Sequence, residues 1–98
     1  MRSKASIQDQ VALASSGARL RVPAFKIINS LQNSGARPGE QILATAVALI
    51  AMCESTGVNL STVIAKAVRI TSAVEGPFTS HLQAVRDYAG NELRKGVV

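Results

Sequence analysis

PGEQILATAVALIAMCESTG, residues 38–57, is the stretch from which the fold follows. From Gln41 to Cys53 it holds 13 consecutive uncharged residues. Ile42, Leu43, Ala46, Val47, Leu49, Ile50 and Cys53 cover much more than one stripe of a helix, and Ala44, Ala48 and Ala51 fill most of the rest. A helix that is apolar nearly all round is one surrounded by other helices. The ends are punctuated: Pro38 suits the first helical position, where its missing N–H costs nothing. Glu40 faces the positive end of the helix dipole, and Gly57 fits the left-handed residue that closes a helix. The stretch predicts a central helix over about Pro38 to Ser55, with Val47, Ile50 and Cys53 inaccessible and much of Val63, Ile64 and Val85 buried around it. A bilayer span needs about 20 apolar residues, so this run is too short to be one.

Working outward, the chain breaks into further helical segments. Ser6 can cap a short first helix, with Asp9 as its capping-box partner and Ile7, Val11 and Ala14 on one face before Gly17. Pro23 is placed to open the second helix, where Phe25, Ile28 and Leu31 recur on one side until Asn33-Ser34-Gly35. Asn59 or Ser61 can cap the fourth, which would run to about Glu75 with Leu60, Val63, Ile64, Ala67, Ile70 and Val74 inward and Lys66 and Arg69 on the other side. Ser80 with Gln83 forms a capping box for the fifth, whose stripe is Leu82, Val85, Ala89 and Leu93. Gly90 inside it predicts a kink or a close helix contact. No period-two alternation marks a strand. The expectation is an all-α bundle of four to five helices around a buried central helix, with residues 1–5 a flexible basic start and 6–96 a single helical domain.

The chain has 98 residues, room for one domain. It is 47% apolar with only Phe25, Phe78 and Tyr88 aromatic, so its core is built of small aliphatic groups. Cys53 is the single cysteine, which excludes an intramolecular disulfide and any Cys-Cys metal pair. On the apolar face of the central helix it reads as core filling. His81 is the single histidine and reads as a surface or capping residue. The carboxylates are scattered and no phosphate-binding glycine loop is present. No catalytic residue, metal site, cofactor, membrane association or small-molecule substrate is expected. No apolar segment follows Met1-Arg2-Ser3-Lys4 before Asp9 and Gln10, so the expected location is cytoplasmic.

Charge is unevenly spread. Arg2, Lys4, Arg19, Arg21, Lys26 and Arg37 stand against Asp9 alone in residues 1–37, whereas residues 38–98 balance five cations with five anions. All of the net charge of +5 therefore lies in the first third. Two functions follow. In one, those six residues contact nucleic-acid phosphates, with Lys66 and Arg69 as additions. In the other, the chain is an interaction module such as an inhibitor, adaptor or assembly subunit. Its surplus of apolar helix face would then be covered by a protein partner or a second copy.

Residues 53–63 carry a local pattern: Cys53, Gly57 four residues on, Val58 after it, Ser61 and then Val63. This resembles the turn of the helix-turn-helix DNA-binding family. The resemblance implies that Asn59, Ser61, Thr62, Lys66 and Arg69 enter the major groove. Thr56 and Lys66 stand where that family has apolar residues, and the preceding helix is longer than the family's. A glycine-capped helical hairpin would need the same glycine and the same apolar seal. The size, basic start and alanine-rich helices also resemble small accessory proteins of bacteriophages and other mobile elements, which implies a regulatory or assembly role.

Overall fold

A computed structural model describes residues 6–13, 17–72 and 79–94. These form five helices: α1 (Ile7–Leu13), α2 (Gly17–Asn33), α3 (Pro38–Thr56), α4 (Leu60–Ser72) and α5 (Thr79–Arg94). There is no strand among the described residues, so the all-α expectation holds. Arg2, Lys4, Ala14, Val74, Glu75, Phe78, Val97 and Val98 lie outside the described residues.

Helix ends follow local chemistry where the signals are strong. The Asp9 backbone N–H donates to Ser6 Oγ at 3.0 Å, capping α1 as expected. Pro38 is the first residue of α3, and Glu40 Oε1 accepts from the Arg37 backbone N–H at 2.9 Å. Gly57 closes α3 at φ 72°, and the Val58 N–H reaches back to the Cys53 carbonyl at 3.1 Å. Such a turn satisfies carbonyls that a helix end leaves open. Asn59 caps α4, its Oδ1 accepting from the Thr62 N–H at 3.1 Å.

Two helix starts differ from expectation. α2 opens at Gly17, so Pro23 lies inside the helix. An interior proline removes one backbone hydrogen bond and costs about 3 kcal/mol. On either side of it, Arg21 and Phe25 meet residues of α5. α5 includes Thr79 and Ser80, so Ser80 is not its cap, and the Gln83 side chain donates instead to Asp87 Oδ1 at 2.9 Å. At Gly90 a Cβ would meet nothing within 4 Å, so no close helix contact explains that glycine.

The packing is organised as two parallel pairs, α1 with α4 and α2 with α5. The α2–α5 seam runs in step. An Arg21 Nη donates to His81 Nδ1 at 3.3 Å near one end, and Gln32 Nε2 donates to the Glu92 carbonyl at 2.6 Å near the other. Between them Phe25 meets Tyr88 edge to face at 4.8 Å, and the Tyr88 hydroxyl donates to Asn29. Arg21, Phe25, Ile28 and Gln32 face His81, Val85, Tyr88 and Glu92, and all eight are half-buried. Both sets have the four-three-four spacing of a coiled-coil seam. His81 is therefore a seam residue, not a surface one. In the other pair, Gln8 Oε1 accepts from the Asn59 N–H at 3.0 Å, and Lys66 Nζ donates to the Ala12 carbonyl at 2.9 Å.

α3 returns the chain from the α2 end of the molecule to the start of α4, and its expected burial is not observed. Gln41 and Cys53 are buried, whereas Ile42 (63% exposed), Leu43 (66%), Val47 (59%), Ile50 (42%) and Met52 (65%) face outward. Ile64 is 46% exposed, and Val63 and Val85 are half-buried. The reason is geometric. The other four helices pair with one another, which leaves too little chain to cover α3 on every side. The molecule measures 54 × 33 × 24 Å, with a radius of gyration of 14.8 Å.

Candidate protein-interaction surface

The outward face of α3 begins with its sequence. Leu43, Val47 and Ile50 recur at four- and three-residue intervals, which keeps them on one side of a helix. Ile42 and Ala46 flank them, and both are exposed. The uncharged run from Gln41 to Cys53 is about 18 Å long at 1.5 Å per residue. Together these four large side chains present roughly 400 Å² of apolar surface, within the 300–600 Å² reached by the largest patch on a soluble monomer. Glu40 and Glu54, both exposed, bracket the face. Gly39 lies on the same side in the first turn, and a Cβ there would meet nothing within 4 Å.

The opposite face of α3 is held by a buried amide. Gln41 is 2% exposed. Its Nε2 donates to Gln32 Oε1 and to the Ala36 carbonyl, each at 2.8 Å. Two acceptors on one nitrogen fix the orientation of the amide. Gln32 in turn donates to the Glu92 carbonyl, so one relay links α3, α2 and α5. Gln41 Oε1 has no partner. Beside it, an apolar groove of about 240 Å³ lined by Ile27, Ile28, Leu31, Ile42, Thr45 and Leu93 runs between α2 and α3. Ile42 belongs to both groove and outward face, so the two apolar surfaces are continuous.

Among the described residues, the cations expected to meet phosphates are spread over α2, the start of α3 and α4. Arg19 and Lys26 are exposed on the outer side of α2, seven residues apart. Arg21 is half-buried, lies 5.5 Å from the Phe25 ring centre and bonds to His81. Arg37 is exposed at the start of α3, and Arg69 on α4. Lys66 is not on the open side of its helix, as its position suggested, but half-buried and bonded to α1. Of the residues that the helix-turn-helix resemblance would send into a groove, Asn59 caps α4 and Thr62 is half-buried. Ala12 of α1 lines a common depression with Ser61, Thr62, Ala65, Lys66 and Arg69. That side of α4 is therefore where α1 lies.

Cys53 is buried, as expected of core filling. No group of three or more His, Cys, Asp or Glu side chains among the described residues could hold a metal ion. No helix among them is long and apolar enough to cross a membrane. Sequence reasoning placed the residues of the α3 face in the core. The signal for their exposure was present only indirectly, in the surplus of apolar residues over neighbours able to cover them. No family model matches the chain, and neither a curated protein nor a solved structure is found similar to it.

Proposed function

We propose that this chain is a non-enzymatic protein-interaction module whose working surface is the outward face of α3. The observation that supports this reading is the exposure of Ile42, Leu43, Val47 and Ile50 on a stretch without a charge. Single exposed apolar residues need no explanation, but a contiguous apolar strip costs solubility and usually marks a contact surface. Gln41 ties the first turn of α3 to α2 and, through Gln32, to α5. A photo-cross-linking residue at Val47, introduced in cells, should give a discrete protein adduct. The same probe at Ser30, on the exposed outer side of α2, should not. Absence of a discrete adduct from position 47, or equal labelling from both positions, would overturn the reading.

A second reading, binding to nucleic acid, draws on one observation. Arg19 and Lys26 share the outer side of α2 about 10 Å apart, at 1.5 Å per residue, and both are exposed. Replacing both with Ala should flatten the log–log salt dependence of duplex binding by up to about 2, because each phosphate contact contributes about 0.9. No binding even at low salt, where screening is weakest, would remove this reading.

A further inference from the structure

We infer that the groove between α2 and α3 takes the indole ring of a tryptophan carried by a partner protein, with the indole N–H donating to Gln41 Oε1. The inference rests on the reading of the α3 face as a protein-interaction surface and names the group that anchors the partner there.

The polar groups of the groove decide the chemistry. Its walls are aliphatic, with Ile28, Leu31 and Ile42 among them, and Gln41 and Thr45 are the polar residues that line it. Thr45 Oγ1 donates to the Gln41 backbone carbonyl at 2.8 Å. Gln41 Nε2 directs its two hydrogens to Gln32 Oε1 and the Ala36 carbonyl, each at 2.8 Å. The side chains of the groove therefore offer acceptors and no donor. Of those acceptors Gln41 Oε1 is buried without a partner, on a side chain that is 2% exposed. Such an atom is rare in a folded chain, where buried polar atoms are nearly always paired.

A guest matched to these groups is neutral, apolar over most of its surface, and carries a donor without an acceptor. A hydroxyl or an amide brings lone pairs that no donor of the groove can meet, and stranding them costs affinity. An ammonium or guanidinium would bury its charge among aliphatic side chains. Among protein side chains the indole of tryptophan is the neutral donor with no acceptor. Size agrees. An apolar cavity of about 150 Å³ holds a benzene ring, and the groove, at about 240 Å³, has room for the larger bicyclic ring.

Two observations place that ring on a partner. Ile42 belongs both to the groove and to the exposed α3 face, so a chain lying along the face passes beside the groove. The protein itself contains no tryptophan, so neither its own residues nor a second copy can supply one. Tryptophan is also a frequent interface anchor, seated in a desolvated pocket. Gln41 Oε1 is covered in the single chain. The ring reaches it once the exposed Ile42 side chain turns to another rotamer, a change common at interfaces.

Titration of the whole chain with indole, followed by NMR, reads the groove directly. Indole should bind with about millimolar affinity, as expected of a ligand of about nine heavy atoms. It should shift the Gln41 side-chain amide signals and show nuclear Overhauser contacts to the methyl groups of Leu31 and Ile42. N-methylindole lacks the donor and should bind roughly five- to tenfold more weakly. Gln41→Met keeps the volume and removes the acceptor, so the two probes should then bind within about twofold of each other. Indole that does not bind, or that binds no better than N-methylindole to the wild-type chain, overturns the assignment. That comparison needs no variant, so it decides even if Gln41→Met does not fold.

The source of the ring is tested at Val47. The partner segment cross-linked from that position should contain a tryptophan, and its replacement by Phe in the partner should weaken binding to this chain roughly five- to tenfold or more. A segment without tryptophan, or a Phe variant that binds as well, overturns the partner as source. With indole selectivity intact, that outcome assigns the groove to a free molecule of the indole class. No adduct from position 47 removes the interaction surface, and the partner's tryptophan with it, whatever the titration shows.

Discussion

Replacing Gln41 by Ala perturbs a buried polar side chain that ties α3 to α2. The change removes two hydrogen bonds of 2.8 Å, each contributing about 1 kcal/mol net. It leaves Gln32 Oε1 and the Ala36 carbonyl without that donor. Both residues are half-buried, so water compensates in part and the penalty stays near the lower end of about 1–3 kcal/mol for each stranded group. Removing the unpartnered Oε1 returns about 1 kcal/mol. Lost methylene burial adds about 1 kcal/mol. The expected loss is about 2–4 kcal/mol, comparable with the roughly 3–5 kcal/mol that a core of this size provides. Gln41→Met refills the volume and also removes the unpartnered oxygen, so it should cost less, about 1–2 kcal/mol. Urea unfolding at one fixed protein concentration measures both, because association raises apparent stability. An alanine variant within about 0.5 kcal/mol of wild type, or a methionine variant worse than alanine, would refute the reasoning.

Two glycines should respond in opposite directions. Gly57→Ala forces a side chain onto a backbone at φ 72° and should destabilise by about 1 kcal/mol, whereas Gly90→Ala, in open space inside α5, should stabilise by about 0.5–1 kcal/mol; thermal unfolding of the two variants reads both signs. Cys53, 6% exposed, should resist alkylation in the native chain and react fully in denaturant, with the rate followed by intact mass; rapid native labelling would show that the end of α3 is not sealed by Val58.

The parts of this fold that could be read from the sequence are those decided within a few residues. The Ser6 cap, Pro38 at the start of α3, Gly57 at its end and Asn59 after it are each set by their own neighbours. Pro23 misled because a first-turn preference does not fix where a helix starts, and α2 extends back past it to Gly17, with Arg21 meeting a partner on α5 far along the chain. Lys66 misled in the same way, since a carbonyl of α1 claims it. Periodicity identified α3 as apolar all round, but it records what a helix could bury and not how many helices are available to cover it. The α3 face was therefore legible as composition and illegible as surface.

The in-step pairing of α2 with α5 also bears on the order in which the chain can acquire its structure. Arg21 waits for His81, and Gln32 for Glu92, each a partner 60 residues later; Gln8 and Asn59 are 51 apart. Helical bundles usually fold fast because their contacts are local. Here both principal seams close long loops, and the entropy of closure must be met before either seam rewards it. During synthesis at about 5–20 residues per second, the inner side of α2 stays bare until α5 has been made, several seconds later. The helices of the first half thus exist for a time as an unsealed surface, open to ribosome-associated chaperones or to a neighbouring nascent chain.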